Sequence, residues 1–262
     1  MTFFPQLSTG ALAQFPMSKR VLRRTILNTL PDRSTVKLSD SGMAVVEWDL
    51  QYSGLSDEEA SALEQLFVKS EGELRTFVFL DPTGNLLAWS ESFGEDAWVK
   101  DPLLTMEDGR PDPTGGTNAF LLQNTTGAAQ SMRQTVRAPA RYQYCVSAWL
   151  RTTAQGQAVM RIASERRACW AGSEWARISM VGFPGGDEET VTFGLEVQPG
   201  QALEVFGFQA EAQPGASGYQ RTGSSGGVYP LARFGAADLR ITAEAPNAHA
   251  CRVRVVSNAN SL

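Results

Sequence analysis

Between Val45 and Asn85 the spacing of hydrophobic positions changes twice, and each change marks an element. Val46, Trp48, Leu50 and Tyr52 alternate with Glu47, Asp49 and Gln51, the period-two pattern of a half-buried strand. A helix follows. Ser56 is placed as its N-cap and Glu59, three residues on, completes a capping box, while Asp57, Glu58 and Glu59 sit where the helix dipole favours acids. Ala60, Leu63 and Phe67 share one helical face, with Leu66 beside them, and Gly72 lies just past the end. Residues 75–80 are apolar on both faces, as an interior strand requires, and Asp81–Gly84 reads as a turn.

Upstream, residues 1–20 read as an extended arm whose Phe3, Phe4, Leu7 and Phe15 need a surface, either this chain's own core or a neighbouring subunit. Val21–Leu30 is expected to be a strand, Pro31–Ser34 its turn, and Thr35–Leu38 a short second strand. Ser39–Gly42 is expected to turn the chain into the central stretch. This first domain is therefore largely antiparallel, with one helix over an open face.

The texture changes at residues 86–104, and a domain junction is placed near Glu91–Asp96. From Asn118 onward, short strands recur between turn signals: 118–123, 130–136, 142–152, 158–164, 175–181, 190–197 and 203–211. Strands at this spacing, with no long helical period between them, argue for a β-sandwich, and their length and irregular connections for a jelly roll. After Thr222 two further strands are expected, 239–243 and 251–257. A lone hairpin of this size is not stable in water, so they must join a sheet. The reading is mostly β. Residues 1–92 together with 223–262 form one largely antiparallel domain with one α-helix, and 93–222 form an inserted jelly roll.

The chain has 262 residues, 42% hydrophobic and 19% charged, which fits two modest packed domains. A net charge of −5 offers no broad phosphate-binding surface, so no nucleic-acid partner is expected. The basic cluster Lys19-Arg20 and Arg23-Arg24 is read as a solvated strand face. No apolar run reaches the length of a membrane span, and the N-terminal stretch lacks the marks of a signal peptide, so synthesis in a cytoplasm without membrane insertion is expected. Cys145, Cys169 and Cys251 form no metal or disulfide framework and are read as buried free thiols.

Two resemblances sharpen these expectations. Thr25–Asn28, Trp48–Tyr52, Leu55–Glu59 and Phe77–Pro82 together resemble the N-terminal domain of phage distal tail and minor tail proteins, over about the first ninety residues. That resemblance implies a tail-tube-like β-barrel or sandwich carrying one α-helix, and assembly into a homo-oligomeric, hexameric ring beneath a tail tube, with tail-tube and tail-tip hub proteins as partners. It places the protein in the virion tail. Trp98–Lys100, Asp112–Ala119, Tyr144–Arg151, Glu174–Arg177, Val205–Glu211 and Tyr219–Thr222 resemble the jelly-roll carbohydrate-binding modules of phage tail and adhesion proteins. This second resemblance implies a non-catalytic module for host glycans or for bracing neighbours. The alternative is a freestanding, non-catalytic glycan-binding protein.

Catalytic chemistry is hard to place. His249 is the only histidine, in a turn, which removes Ser-His-Asp, Cys-His and histidine-rich metal sites together. Acid pairs such as Glu91 with Glu95, and Asp187–Glu189, are read as solvated surface. No enzyme activity and no organic cofactor are expected. A structural Ca²⁺, which modules of this type carry, has Asp96, Asp101, Asp108 and Asp112 as candidate ligands, although no EF-hand spacing is present. Among the tryptophans, Trp48 and Trp175 are assigned to core. Trp149, on the more polar face of its strand, and Trp170, read as lying in a loop at Arg166–Gly172, are the candidate glycan-stacking residues.

Overall fold

A computed structural model describes residues 2–152 and 156–259, apart from the side chains of 41–43. Among the described residues the chain is mostly β, with one helix and three sheets. It divides into two compact units. The first holds Met1–Ser8, Leu12–Phe79 and Tyr229–Leu262; the second holds Thr9–Ala11 and Leu80–Val228. The divisions fall after Phe79 and Val228, where the sequence suggested 92 and 222. Residues 80–92 are held inside the second unit: the Leu86 amide donates to the Ala210 carbonyl at 2.8 Å, and the Asn85 side chain donates to the Phe208 carbonyl at 2.9 Å. Among the described residues no helix is long and apolar enough to cross a membrane.

The first unit is built on β1 (Ser18–Thr29), β2 (Thr35–Leu55), α1 (Asp57–Lys69) and β3 (Phe77–Leu80), and the C-terminal segment adds β14 (Val228–Phe234), β15 (Ile241–Ala245) and β16 (Ala248–Asn258). They form one six-stranded sheet in the order β1-β2-β16-β14-β3, with β15 paired to β16. The alternation at 46–52 does what its period requires. Val46, Trp48, Leu50 and Tyr52 are buried and join Leu63 and Leu66 of the helix, Phe77 and Phe79 of β3, and Val253 and Val255 of β16 in one core. The capping box is formed: the Ser56 hydroxyl accepts from the Glu59 amide at 3.2 Å, and the Ser56 amide donates back to Oε2 of Glu59 at 2.9 Å. Phe4 and Leu7 lie in this unit's own core and Phe3 is buried, whereas Phe15 is exposed.

The expected turn at Ser39–Gly42 is not a turn. Residues 35–55 run as one 21-residue strand, and the irregularity appears instead as a break in the β1–β2 register between Leu22 and Arg24. Beyond that break, Arg24–Thr29 pairs only with Thr35–Asp40, because β16 reaches no further along β2 than Val45.

The second unit contains β4 (Val99–Lys100), β5 (Thr105–Arg110), β6 (Ala119–Gln123), β7 (Gln130–Val136), β8 (Tyr144–Arg151), β9 (Gly156–Ile162), β10 (Glu165–Ala171), β11 (Ala176–Gly182), β12 (Val191–Val197) and β13 (Ala202–Glu211). They make two five-stranded sheets, β10-β9-β12-β7-β4 and β11-β8-β13-β6-β5. From β7 to β13 the chain crosses repeatedly between the sheets, the connectivity of a jelly roll. Inward-facing rings meet between them: Tyr144 of β8 and Phe193 of β12 lie 5.4 Å apart, edge to face. The three cysteines are free and buried; burial pushes the Cys145 and Cys251 thiols up to about 11.

Candidate functional site

The two sandwich sheets each turn one face away from their shared core, and the two candidate tryptophans lie on different ones. Trp149 stands on β8 with Cys145, Ser147 and Arg151, on the outer face of its sheet. That face is covered. Cys145 and Ser147 are fully buried, as are Gln209 and Glu211 on the neighbouring strand. The cover is the segment 213–222. The Ser217 carbonyl accepts from the Arg177 guanidinium, the Gly218 carbonyl from the Gln209 side chain at 3.3 Å, and the Gln220 amide donates to Gln209 at 2.7 Å. Tyr219 brings its ring edge-on to Trp149 at 5.2 Å and donates its hydroxyl to Glu91 at 3.1 Å. Glu91, expected to be solvated, is buried and also holds Arg221 at 3.2 Å.

Arginine takes the remaining ring surface. Arg177 lies directly opposite Trp149 in the β11–β8 register, with its guanidinium 4.8 Å from the ring centre. One row along, Arg151 covers Trp175 at 4.7 Å and pairs with Glu204. Trp175 is thus not a core residue: it is half-buried on this outer face. Its Nε1, with Nε of Arg177, is a buried donor lacking a partner. Trp149 and Trp175 are therefore occupied by the protein itself.

Trp170 is different. It lies in a strand, β10, not in a loop. The residue is 63% exposed. The hairpin that places it turns through Ala163 and Ser164, with Ala163 at φ 51°. A left-handed alanine is not a turn signal that sequence rules recognise, because glycine or asparagine is the usual occupant. Alternation then puts Cys169 and Ala171 inward and Arg166, Ala168 and Trp170 outward. Gln157 stands opposite Trp170 on β9, and the same face continues through Arg161 and Glu196, which pair at 2.9 Å, to the Thr135–Thr192 hydroxyl bond at 2.7 Å. An open indole at one edge, followed by fixed polar groups, can stack a ring and hydrogen-bond its neighbours.

The four candidate calcium ligands are not assembled. Among the described residues no group of three or more His, Cys, Asp or Glu side chains could hold a metal. Asp96 and Asp108 are exposed. Asp101 is engaged by Arg133 at 2.7 Å and by the Ser131 hydroxyl at 2.8 Å; burial raises its carboxyl, but these bonds outweigh it and hold it below the usual range. Asp112 folds its own loop. It accepts the Thr114 amide at 2.8 Å, the Gly116 amide at 3.0 Å and the Asn118 amide at 3.0 Å, besides the Thr114 hydroxyl. Burial works against ionisation there, yet these donors bring the carboxyl down to about 2.

Neither a protein-family profile nor a curated protein matches the chain. Solved structures give weak likenesses over about half of it. An enzymatically active domain of tailspike protein 4 from bacteriophage CBA120 aligns at 15% identity and a TM-score of 0.39, covering 51% of this chain and 22% of that one. The xylan-binding CBM22-1 domain from Paenibacillus barcinonensis aligns at 13% identity and a TM-score of 0.39, over 51% of this chain and 96% of that domain. The C-terminal family 22 carbohydrate-binding module of a Clostridium thermocellum protein aligns at 13% identity and a TM-score of 0.41, over 52% and 99%. The chain thus spans less than a quarter of the length of the tailspike domain. The jelly roll described here rests on strand order and register.

Proposed function

We propose that this protein is a non-catalytic structural subunit of a phage or phage-derived tail tip, assembling with copies of itself through the β1–β2 arm and carrying a sandwich that contacts glycans. The arm carries this reading. Residues 24–40 form a two-stranded ribbon paired only with itself, and every residue of β1 is exposed. A free two-stranded ribbon is marginal in water, and a long open edge invites pairing with another chain. On one face of the ribbon Ile26, Val36 and Leu38 come together, 37%, 39% and 48% exposed; Leu27, on the other face, is 61% exposed. Such a surface is suited to burial on assembly. The resemblance of residues 25–28, 48–52, 55–59 and 77–82 to distal tail proteins supports a ring as the product. Light scattering and negative-stain images should reveal closed oligomers of the whole chain. A variant with residues 24–40 replaced by a two-residue turn should be a folded monomer; persistence of the oligomer in that variant would refute the role of the arm.

A second reading, a freestanding glycan-binding protein, is favoured by the exposed Trp170. Calorimetric titration with soluble polysaccharides, repeated on Trp170→Ala, tests it. Binding by a monomeric wild type, lost in the variant, would favour this reading over the first.

A further inference from the structure

The face that carries Trp170 holds more positive charge than its own acids require. Alternation along β10 turns Arg166, Ala168 and Trp170 outward, opposite Arg161, Val159 and Gln157 of β9. Across the sheet, Gly194 of β12 stands opposite Arg161, and Arg133 of β7 stands opposite Gly194. One transverse row therefore reads Arg166, Arg161, Gly194, Arg133, with bare backbone at its third position. At about 4.8 Å between strands, the row spans roughly 14 Å.

Two acids answer these three cations. Asp101 takes Arg133 at 2.7 Å. Glu196, only 7% exposed, meets Arg161 at 2.9 Å and Arg166 at 3.3 Å, both through its Oε1. One guanidinium suffices to neutralise one carboxylate, and Arg161 is the closer and the more buried of the two. Arg166 is the surplus. Its side chain is 59% exposed, and among the described residues Glu196 is its only partner. A long contact from an exposed side chain contributes little. The planar donors of Arg166 are thus open to a further carboxylate, which they match two bonds at a time.

Arg166 and Trp170 are four residues apart on one strand face, a distance of about 13 Å. Between them lie Ala168 and, alongside it, Val159, both small and uncharged. The result is a shallow floor with an open indole at one end and an open guanidinium at the other. We infer that this face takes a carboxylate-bearing, acidic glycan. One sugar ring stacks on Trp170, and a carboxylate further along the same chain pairs with Arg166, which Glu196 positions. The inference rests on the glycan-contact reading above and names the class of glycan. The excess is a single charge, three arginines against two acids. That suits a polymer with spaced carboxylates better than a nucleic-acid strand with a phosphate at every residue.

The test is calorimetric titration of the full chain with polygalacturonate, alginate and hyaluronate. Each is compared with the same polymer after chemical reduction of its carboxyls to alcohols. At least one acidic form should bind about tenfold more tightly than its reduced counterpart, and the preference should shrink between about 50 mM and about 0.5 M salt. Arg166→Gln, at an exposed position, should abolish the preference while leaving the unfolding midpoint and the binding of the reduced form unchanged. Trp170→Ala should weaken both forms. If the wild type binds acidic and reduced forms alike, or Arg166→Gln keeps the preference, the acidic class fails and glycan contact stands. If no polymer binds in either form, both fail. Tighter binding of a single-stranded thymidine oligonucleotide than of any polymer would overturn the inference in favour of nucleic acid.

Discussion

A tryptophan on a sheet face serves packing or ligand stacking according to whether its ring is already covered. Trp149 is held by Arg177, Tyr219 and Phe206, and a Cβ at Gly207 would come within 3.0 Å of its ring. Trp149→Ala should therefore lower the stability of the second unit by about 2–4 kcal/mol in urea unfolding, from lost burial and the hole left behind. Trp170→Ala, at an exposed position, should change it by no more than about 0.5 kcal/mol. Asp112 makes a pH-dependent prediction. Its folded carboxyl sits at about 2, below the roughly 3.9 of an unfolded chain. The stabilisation is fully present above about pH 4 and lost as pH falls through about 2. Asp112→Asn should remove that part of the acid dependence, on the order of 1–2 kcal/mol for a group whose loop is partly open to solvent. Both tryptophans were recognisable candidates from sequence, since alternation put Trp149 on a polar face. What alternation could not convey was that residues 213–222 return over that face and bury it.

Elements whose local signals agree were the most legible. The 56–69 helix has a cap, a reciprocal Glu59 and an apolar stripe at one spacing, and all three are present in the fold. Burial raises the Glu59 carboxyl, but four bonds from Ser56 and Ser8 outweigh it and leave it below the usual range. Ser56→Ala should cost about 1 kcal/mol in thermal or urea unfolding of the first unit. Two strands were illegible for opposite reasons. β10 escaped notice because its turn is built on a left-handed alanine, so the Arg166–Gly172 run looked like loop. The distal half of β2 was cut short because Ser39, Asp40, Ser41 and Gly42 spell a turn, where the strand continues past a change of register. Neither the bulge nor the uncovered ribbon has a sequence signature, because an exposed strand and a half-buried one can show the same alternation.

At the scale of the whole molecule, a mostly β chain with one helix could be read from period and punctuation, and the need of the C-terminal strands for a sheet followed from their edges. Their partner in the structure is β2. β16 runs antiparallel to it from His249 opposite Leu55 to Asn258 opposite Val45, with one break in register, and places Cys251, Val253 and Val255 in the core around Trp48. β14 adds Tyr229, 4.5 Å from the Trp48 ring, and Phe234, 5.0 Å from Phe77. Truncation after Val228 would strip this sheet of its centre, leaving β2 paired only with β1. The loss of Tyr229, Phe234, Val253 and Val255 alone removes roughly 6–12 kcal/mol of burial, at about 1.5–3 kcal/mol for each large side chain. Against a usual margin of about 5–15 kcal/mol, the first unit should unfold. The second unit contains all ten strands of its two sheets between Val99 and Glu211, and should keep its cooperative transition. Hydrogen exchange on full-length and truncated chains separates the two. Protection across Val46–Tyr52 and Phe77–Leu80 should fall to that of an unfolded chain, while β8, β12 and β13 remain protected. Retained protection at Trp48 after truncation would show that β2 finds its partner outside its own chain, and that the C-terminal strands are replaceable by a neighbour's.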